Sequence, residues 1–273
     1  MASAGGSRRR RPGWALLGVA VLLLGGCRDD TVRLSFRPDP GRRYTYRISV
    51  RATTVTTVAD ERPRRSRSNT VFVATQRVLA LSPSGGRVEV RVEEQGSPTR
   101  TYVVRLDRAG QLAEVQSIEG LPARALGELG LSEIFPAAAA APPDRPLSPG
   151  QRWEIDTAVQ LARAPEARLR GSGHLATLGR VDGIDVARVE SRYRLPVRGT
   201  AAPNDNGLTL DGSQTTDAKV VYSVDDGAVL SAEAVTSGTF DVTLFPPPGT
   251  PGSPVPGTVS VVVSSTTERV APR

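Results

Sequence analysis

Arg43-Tyr44-Thr45-Tyr46-Arg47-Ile48-Ser49-Val50-Arg51-Ala52 decides the fold class. Tyr44, Tyr46, Ile48, Val50 and Ala52 fall on one side of a period of two; Arg43, Thr45, Arg47, Ser49 and Arg51 fall on the other. Successive strand side chains point to opposite faces, so the stretch has one apolar and one solvated face. That is a half-buried strand of an antiparallel sheet. The strand continues towards Val58, long enough to curve.

The alternation recurs downstream. Val88, Val90 and Val92 alternate with Arg87, Glu89, Arg91 and Glu93, and strands are expected at Val71–Leu81, Tyr102–Leu106 and Leu112–Val115, with a brief first strand at Val32–Phe36. Pro38-Asp39-Pro40-Gly41, Ser82-Pro83-Ser84-Gly85-Gly86 and Asp107-Arg108-Ala109-Gly110 carry turn chemistry, with proline presetting φ and glycine permitting reversal. Asp60–Ser68 reads as an exposed hairpin loop. The result is a meander of about five strands. Ile118, Leu121, Ala125 and Leu129 then change the spacing to three and four, predicting one helix within 117–135, with Pro122 in its first turn.

The alanine run between Pro136 and Pro142 reads as a connector, and beyond it the chain starts again. Ser148-Pro149-Gly150-Gln151-Arg152-Trp153 echoes Asp39-Pro40-Gly41-Arg42-Arg43-Tyr44: a proline-glycine turn, a basic residue, then an aromatic opening a strand whose apolar side holds Trp153, Ile155, Val159 and Leu161. Further strands are expected at Ala167–Leu178, Ile184–Val197, Leu208–Leu210, Ala218–Val224, Val229–Leu244 and Val259–Val263, with turns at Asp182-Gly183, Asp211-Gly212 and Asp225-Asp226-Gly227. The organisation is a first β-meander plus helix over 32–135, a linker over 136–147, and a second β-meander over 148–273 with a proline-rich loop at 246–257. The expected fold is mainly β: two similar antiparallel meanders forming curved, half-barrel-like sheets with one helix between them.

The amino-terminal segment carries an address. Arg8-Arg9-Arg10-Arg11, the apolar run Trp14–Leu24 and the small residues before Cys27 describe a secretory signal over 1–26. The run is shorter than the roughly 20 residues of a membrane span. Leu24-Gly25-Gly26-Cys27 resembles the lipobox of bacterial lipoproteins. That resemblance implies a diacylglycerol on the Cys27 sulfur, cleavage after Gly26 and acylation (as by palmitate) of the new amino terminus, with 27–31 as a tether. Arg28 where an aspartate would favour inner-membrane retention fits an outer membrane, if the host has one.

Composition excludes several classes. Of 35 basic residues four lie in 1–26, leaving 31 against 28 acids, a balance of +3 that removes the case for a nucleic-acid partner. One histidine, His174, and one cysteine cannot assemble a zinc or transition-metal set. Ser172 and His174 share a strand face, but no strand, tight turn and helix surround Ser172 as a nucleophile would need. Asp29-Asp30, Glu93-Glu94 and Asp225-Asp226 are sequence neighbours, which a strand sends to opposite faces, so adjacency makes no acid/base pair. Asn204-Asp205-Asn206-Gly207 reads as a turn and not a calcium loop, and Arg62–Arg67 as a solvated tip able to meet anionic headgroups or wall polymers. No enzyme activity and no cofactor are expected.

Two groups resemble the whole. One is an uncharacterised family of bacterial lipoproteins with a repeated strand opening, matched at Pro40-Gly41…Tyr44 and Pro149-Gly150…Trp153. The other, similar in architecture alone, is the half-barrel carriers of lipid and lipoprotein in cell envelopes. The first group implies no known activity and the second suggests the shape alone; the function expected is an extracytoplasmic, lipid-anchored, non-catalytic binding or carrier module, with an apolar cavity between sheet and helix for a hydrophobic ligand. The alternative is a structural or interaction lipoprotein whose sheet surface meets a protein or wall partner.

Overall fold

The computed structural model describes residues 31–108, 110, 112–118, 121–122, 142–158, 168–201, 208–246 and 251–270. The signal over 1–26, Cys27, and the tether as far as residue 30 lie outside the described residues. The described chain is all-β and antiparallel. Its strands are β1 (Arg43–Val58), β2 (Arg64–Ser82), β3 (Gly85–Glu94), β4 (Arg100–Asp107), β5 (Leu112–Ile118), β6 (Leu121–Pro122), β7 (Arg152–Ala158), β8 (Arg168–Val181), β9 (Ile184–Ala201), β10 (Leu208–Ser223), β11 (Val229–Leu244) and β12 (Val255–Val270). They form one sheet in the order β6-β5-β4-β3-β2-β1-β12-β11-β10-β9-β8-β7. Each run of six strands is a meander, and pairing of β1 with β12, from Thr45↔Val270 to Val58↔Gly257, joins the two. Among the described residues the edge strands β6 and β7 do not pair, so the sheet is curved and unclosed.

Curvature follows from burial. A lone sheet has no second layer for its apolar face, so it wraps that face inward. The predicted inward side of β1 is the observed one: Tyr44, Tyr46 and Ile48 are buried while Arg43, Arg47 and Arg51 are exposed. Two core clusters result. One gathers Tyr44, Tyr46, Ile48, Phe72, Val78, Val88, Val90, Tyr102, Val104 and Leu106 from β1–β4; the other gathers Trp153, Ile155, Leu169, Leu175, Val189, Tyr193, Val220 and Tyr222 from β7–β10.

A strap stitches the clusters at one end of the sheet. Val32, Leu34, Phe36 and Pro38 alternate inward, the first two in the β7–β10 cluster and Phe36 in the β1–β4 cluster. The expected first strand is thus a single bridge, Val32↔Leu147, followed by extended chain across the end of the sheet. Val32 and Leu147 exchange amide bonds of 2.9 Å, the Phe36 amide bonds the Arg108 carbonyl, and the Arg37 amide bonds the Asp226 carbonyl at 2.9 Å. The Arg37 guanidinium also donates to the carbonyls of Asp225 and Val224. Gly227, at φ +68°, lies so close to the Ser35 carbonyl that a side chain there would meet the strap.

The two strand openings share hydrogen bonding as well as sequence. Gly41 and Gly150 both sit at φ +82°. The Gly41 amide donates to the Val78 carbonyl at 2.9 Å and Val78 returns a bond to Arg42; the Gly150 amide donates to the Leu175 carbonyl at 2.6 Å and Leu175 returns one to Gln151. The ladder then shifts register between Val78 and Ala80 in one half and between Leu175 and Thr177 in the other.

Several expectations need correction. Among the described residues there is no helix: Ile118 pairs with Tyr102 on β4 and with Leu121 on β6. Strand pairing overrides the three-and-four spacing where that spacing begins; 123–135, the rest of the expected helix, and the alanine run as far as residue 141 lie outside the described residues. Arg64–Ser68 belong to β2, not to a loop, because Thr53–Thr56 of β1 pair with Arg64–Arg67; with both faces solvated there, polar residues leave no alternation to read. Asp211-Gly212 is no turn: β10 runs straight through, and Gly212 is needed because the Thr239 carbonyl and the Phe240 ring press against its Cα. The linker ends in the core, with Pro142 and Leu147 buried.

Candidate functional site

The sheet has unequal ends. Beside the strap, where the β2–β3, β8–β9 and β10–β11 turns lie, its inner face is packed. Further along, the inner rows become Ala52–Val263–Thr236, Thr54–Val261–Gly238 and Thr56–Val259–Phe240 across β1, β12 and β11. Val259, Val261, Val263 and Phe240 are half-buried, and Leu244 and Phe245 at the end of β11 are exposed. Phe240 lies over Gly212 and Gly238, whose missing side chains leave room for the ring. The three valines and Phe240 form an apolar strip lining the inner face beyond the packed core, flanked in the same rows by Thr54, Thr56 and Thr236. Alternation alone gave Val259 and Val263 as strand residues; that the lining is only partly covered depends on the curvature.

The outer face carries a second feature, a groove of about 390 Å³ crossing β8 to β12. One wall is the register row His174–Glu190–Lys219–Glu233–Thr266, the other Ser172–Arg192–Asp217–Val235–Ser264. Between them, Ser191, Ala218, Ala234 and Ser265 form the floor. The floor residues turn their side chains to the inner face, so the outer surface between the two rows is bare backbone, while the long outward side chains stand up as walls. Lys219, the single lysine of the chain, faces Glu190 on one neighbouring strand and Glu233 on the other. His174 Nε2 lies 3.6 Å from Glu190 Oε2, and Arg192 Nε 3.6 Å from Asp217 Oδ1. Pairs this exposed are screened and hold little structure.

The remaining candidates resolve individually. Ser172 and His174 do share the outer face, where both line this groove, and the partner of the His174 ring is Glu190, not Ser172. Glu93 pairs with Arg91 at 2.9 Å, while Glu94 accepts from Ser97. Asp225 and Asp226 diverge: Asp226 is drawn under the sheet end, accepting from Tyr44 Oη at 2.8 Å and from the Ala228 amide at 3.0 Å. Burial pushes the Asp226 carboxyl up. Hydrogen bonds from Ser223, Ala228 and Tyr44, with the Arg269 charge, outweigh burial and hold it below the usual carboxylate range. Burial, then the bond to Asp226, raises the Tyr44 phenol. This latch between β1 and the β10–β11 turn left no mark in the sequence, because its partners are 182 residues apart.

Arg64 of the basic tip pairs with Glu61 at 3.2 Å, and Arg65 and Arg67 are exposed. Cys27, Asp29-Asp30 and Asn204–Gly207 lie outside the described residues. Among the described residues no group of three or more His, Cys, Asp or Glu could hold a metal ion, and no helix is long and apolar enough to cross a membrane. The outward rows carry Arg47, Arg51, Arg87, Glu89, Arg188 and Arg192, where a membrane-spanning barrel would present an apolar band.

No protein-family model and no curated protein matches this chain. Among solved structures it is similar, at 9% identity and a TM-score of 0.22, to OmpT with loop L8 deleted, an outer membrane protein of Vibrio cholerae, over 85% of this chain and 100% of that one. It is also similar to Acinetobacter baumannii OccAB4, at 7% identity and a TM-score of 0.18, over 86% of this chain and 100% of that one.

Proposed function

We propose that this chain is a lipid-anchored, extracytoplasmic, non-catalytic module that binds or carries a hydrophobic ligand on the inner face of its sheet. The observation that carries the reading is the half-buried apolar strip of Val259, Val261, Val263 and Phe240 on β11 and β12, next to the packed core that Ala232 and Ala234 of β11 join. Apolar area left partly in water on a concave face is what a hydrophobic ligand covers favourably. The anchor is Cys27, in a bacterial cell membrane or, where one exists, an outer membrane. The shared turn and register shift at Gly41–Val78 and Gly150–Leu175 support reading the halves as two copies of one β-meander. A second reading, a protein or wall partner on the outer sheet face, is favoured by the charged groove across β8–β12.

Two adjacent residues separate the readings, since Val261 faces inward and Val262 outward, 46% exposed. Native mass spectrometry of protein extracted from its own membrane should find a retained lipid that Val261→Asp loses and Val262→Asp keeps. No retained lipid, or equal loss in both variants, would refute ligand carriage on the inner face.

A further inference from the structure

The geometry points to the strap end of the sheet as the face this protein turns to the membrane, with anionic lipid headgroups as the surface it meets. The inference rests on the anchor read at Cys27 and adds an orientation. Five residue steps separate Cys27 from Val32, and a chain spans at most about 3.5 Å per residue, so Cys27 stays within about 17 Å of Val32. Val32 cannot move outward to lengthen that reach. It is bridged to Leu147, and behind it the chain is fastened through Phe36, Arg37 and the buried Pro38.

The opposite end is much further off. β1 has 16 residues, about 53 Å at ~3.3 Å per residue, or about 40 Å along the axis with the tilt usual in curled sheets. With the strap end on the bilayer, the β1–β2 hairpin therefore stands beyond it by more than twice the reach of the tether. Charge does not choose between the ends, because the β1–β2 tip carries Arg62, Arg64, Arg65 and Arg67 against Asp60 and Glu61; the reach of the tether does, and it brings a basic corner to the bilayer. Arg33 and Arg108 both approach the Asp144 carboxylate, at 3.9 and 2.7 Å, and the exposed Arg145 follows it in the chain. Two guanidiniums thus share one carboxylate where the strap leaves the sheet, and with the exposed Arg145 beside it this corner is basic, suited to phosphate headgroups. The apolar lining then opens away from the anchoring bilayer, so a ligand held there is handed to or received from something other than that bilayer.

Because Cys27 is the single cysteine and is taken by lipid, an introduced cysteine can carry a unique fluorophore. Ser84→Cys marks the β2–β3 turn, whose Gly86 lies against Phe36 of the strap, and Arg62→Cys marks the opposite end. The full lipidated protein is reconstituted in phosphatidylcholine vesicles, with and without phosphatidylglycerol, containing lipids with spin-labelled headgroups. Quenching should be several-fold stronger at Ser84→Cys than at Arg62→Cys. Adding Arg33→Gln and Arg145→Gln should weaken it only in vesicles containing phosphatidylglycerol. Equal quenching at both sites, as for a molecule lying flat, or stronger quenching at Arg62→Cys overturns the orientation; no effect of the arginine changes overturns the headgroup contact. Intact mass of the same samples separates the premises. Acylated protein with the wrong quenching sinks the orientation alone, and protein without acyl mass sinks the anchor with it.

Discussion

Tyr44 and Trp153 occupy equivalent openings of the two meanders, 3% and 7% exposed, while Arg43 and Arg152 just before them are exposed. Truncating either aromatic to alanine returns about 200 Å² of packing area to water or void, roughly 5 kcal/mol at ~25 cal/mol per Å², and measured aromatic truncations run about 3–5 kcal/mol. The two should differ in a defined way. Tyr44 also donates to Asp226 and lies 5.7 Å from the Arg269 guanidinium, so Tyr44→Ala falls at the top of that range and Tyr44→Phe alone costs about 1.5 kcal/mol. The Trp153 indole N–H has no partner to lose, which puts Trp153→Ala at about 4 kcal/mol. Its ring lies on Gly173, where an added Cβ would come within 2.5 Å of the indole. Gly173→Ala should therefore cost about 1–3 kcal/mol, and most of that should vanish in a Trp153→Ala background. Arg43→Ala and Arg152→Ala should stay within about 0.5 kcal/mol. The assay is urea unfolding of a soluble chain beginning at Arg28, with m unchanged across the set. Arginine variants as damaging as the aromatic ones would refute the inward register; a large loss at only one aromatic would refute the equivalence of the halves.

Two further outcomes follow from named contacts. The Asp226 carboxyl is held below its unfolded value, so its contribution is present above the ordinary carboxylate range and lost as pH falls through the lower folded value; the fall in Tm on acidification should be shallower in Asp226→Asn, and an unchanged slope would show that the latch contributes nothing. Cys27→Ser should give uncleaved or unlipidated protein by intact mass, since only a thiol accepts the diacylglyceryl group, and a wild-type mature chain starting anywhere but residue 27 would sink the lipobox reading.

Through alternation, the sequence settles the class of the fold and the inward side of β1, β3 and β7, because strand side chains alternate every two residues regardless of context. Tyr44, Tyr46, Ile48, Val88, Val90 and Trp153 were assigned inward on that ground alone and are buried. It also marked the restart at Pro149-Gly150, since a left-handed glycine before a strand is a local requirement. What alternation cannot carry is which strand lies beside which. The β1–β12 pairing joins residues 199 to 225 positions apart, and it brings together the Tyr44–Asp226 latch and the apolar strip; the row of His174, Glu190, Lys219 and Glu233 comes from the registers of β8 to β11. Local spacing also misread Ile118–Leu121 as a helical turn and Asp211-Gly212 as a reversal. In both places the backbone follows its partners across the sheet, and the ladder's hydrogen bonds outweigh the local preference of a few residues.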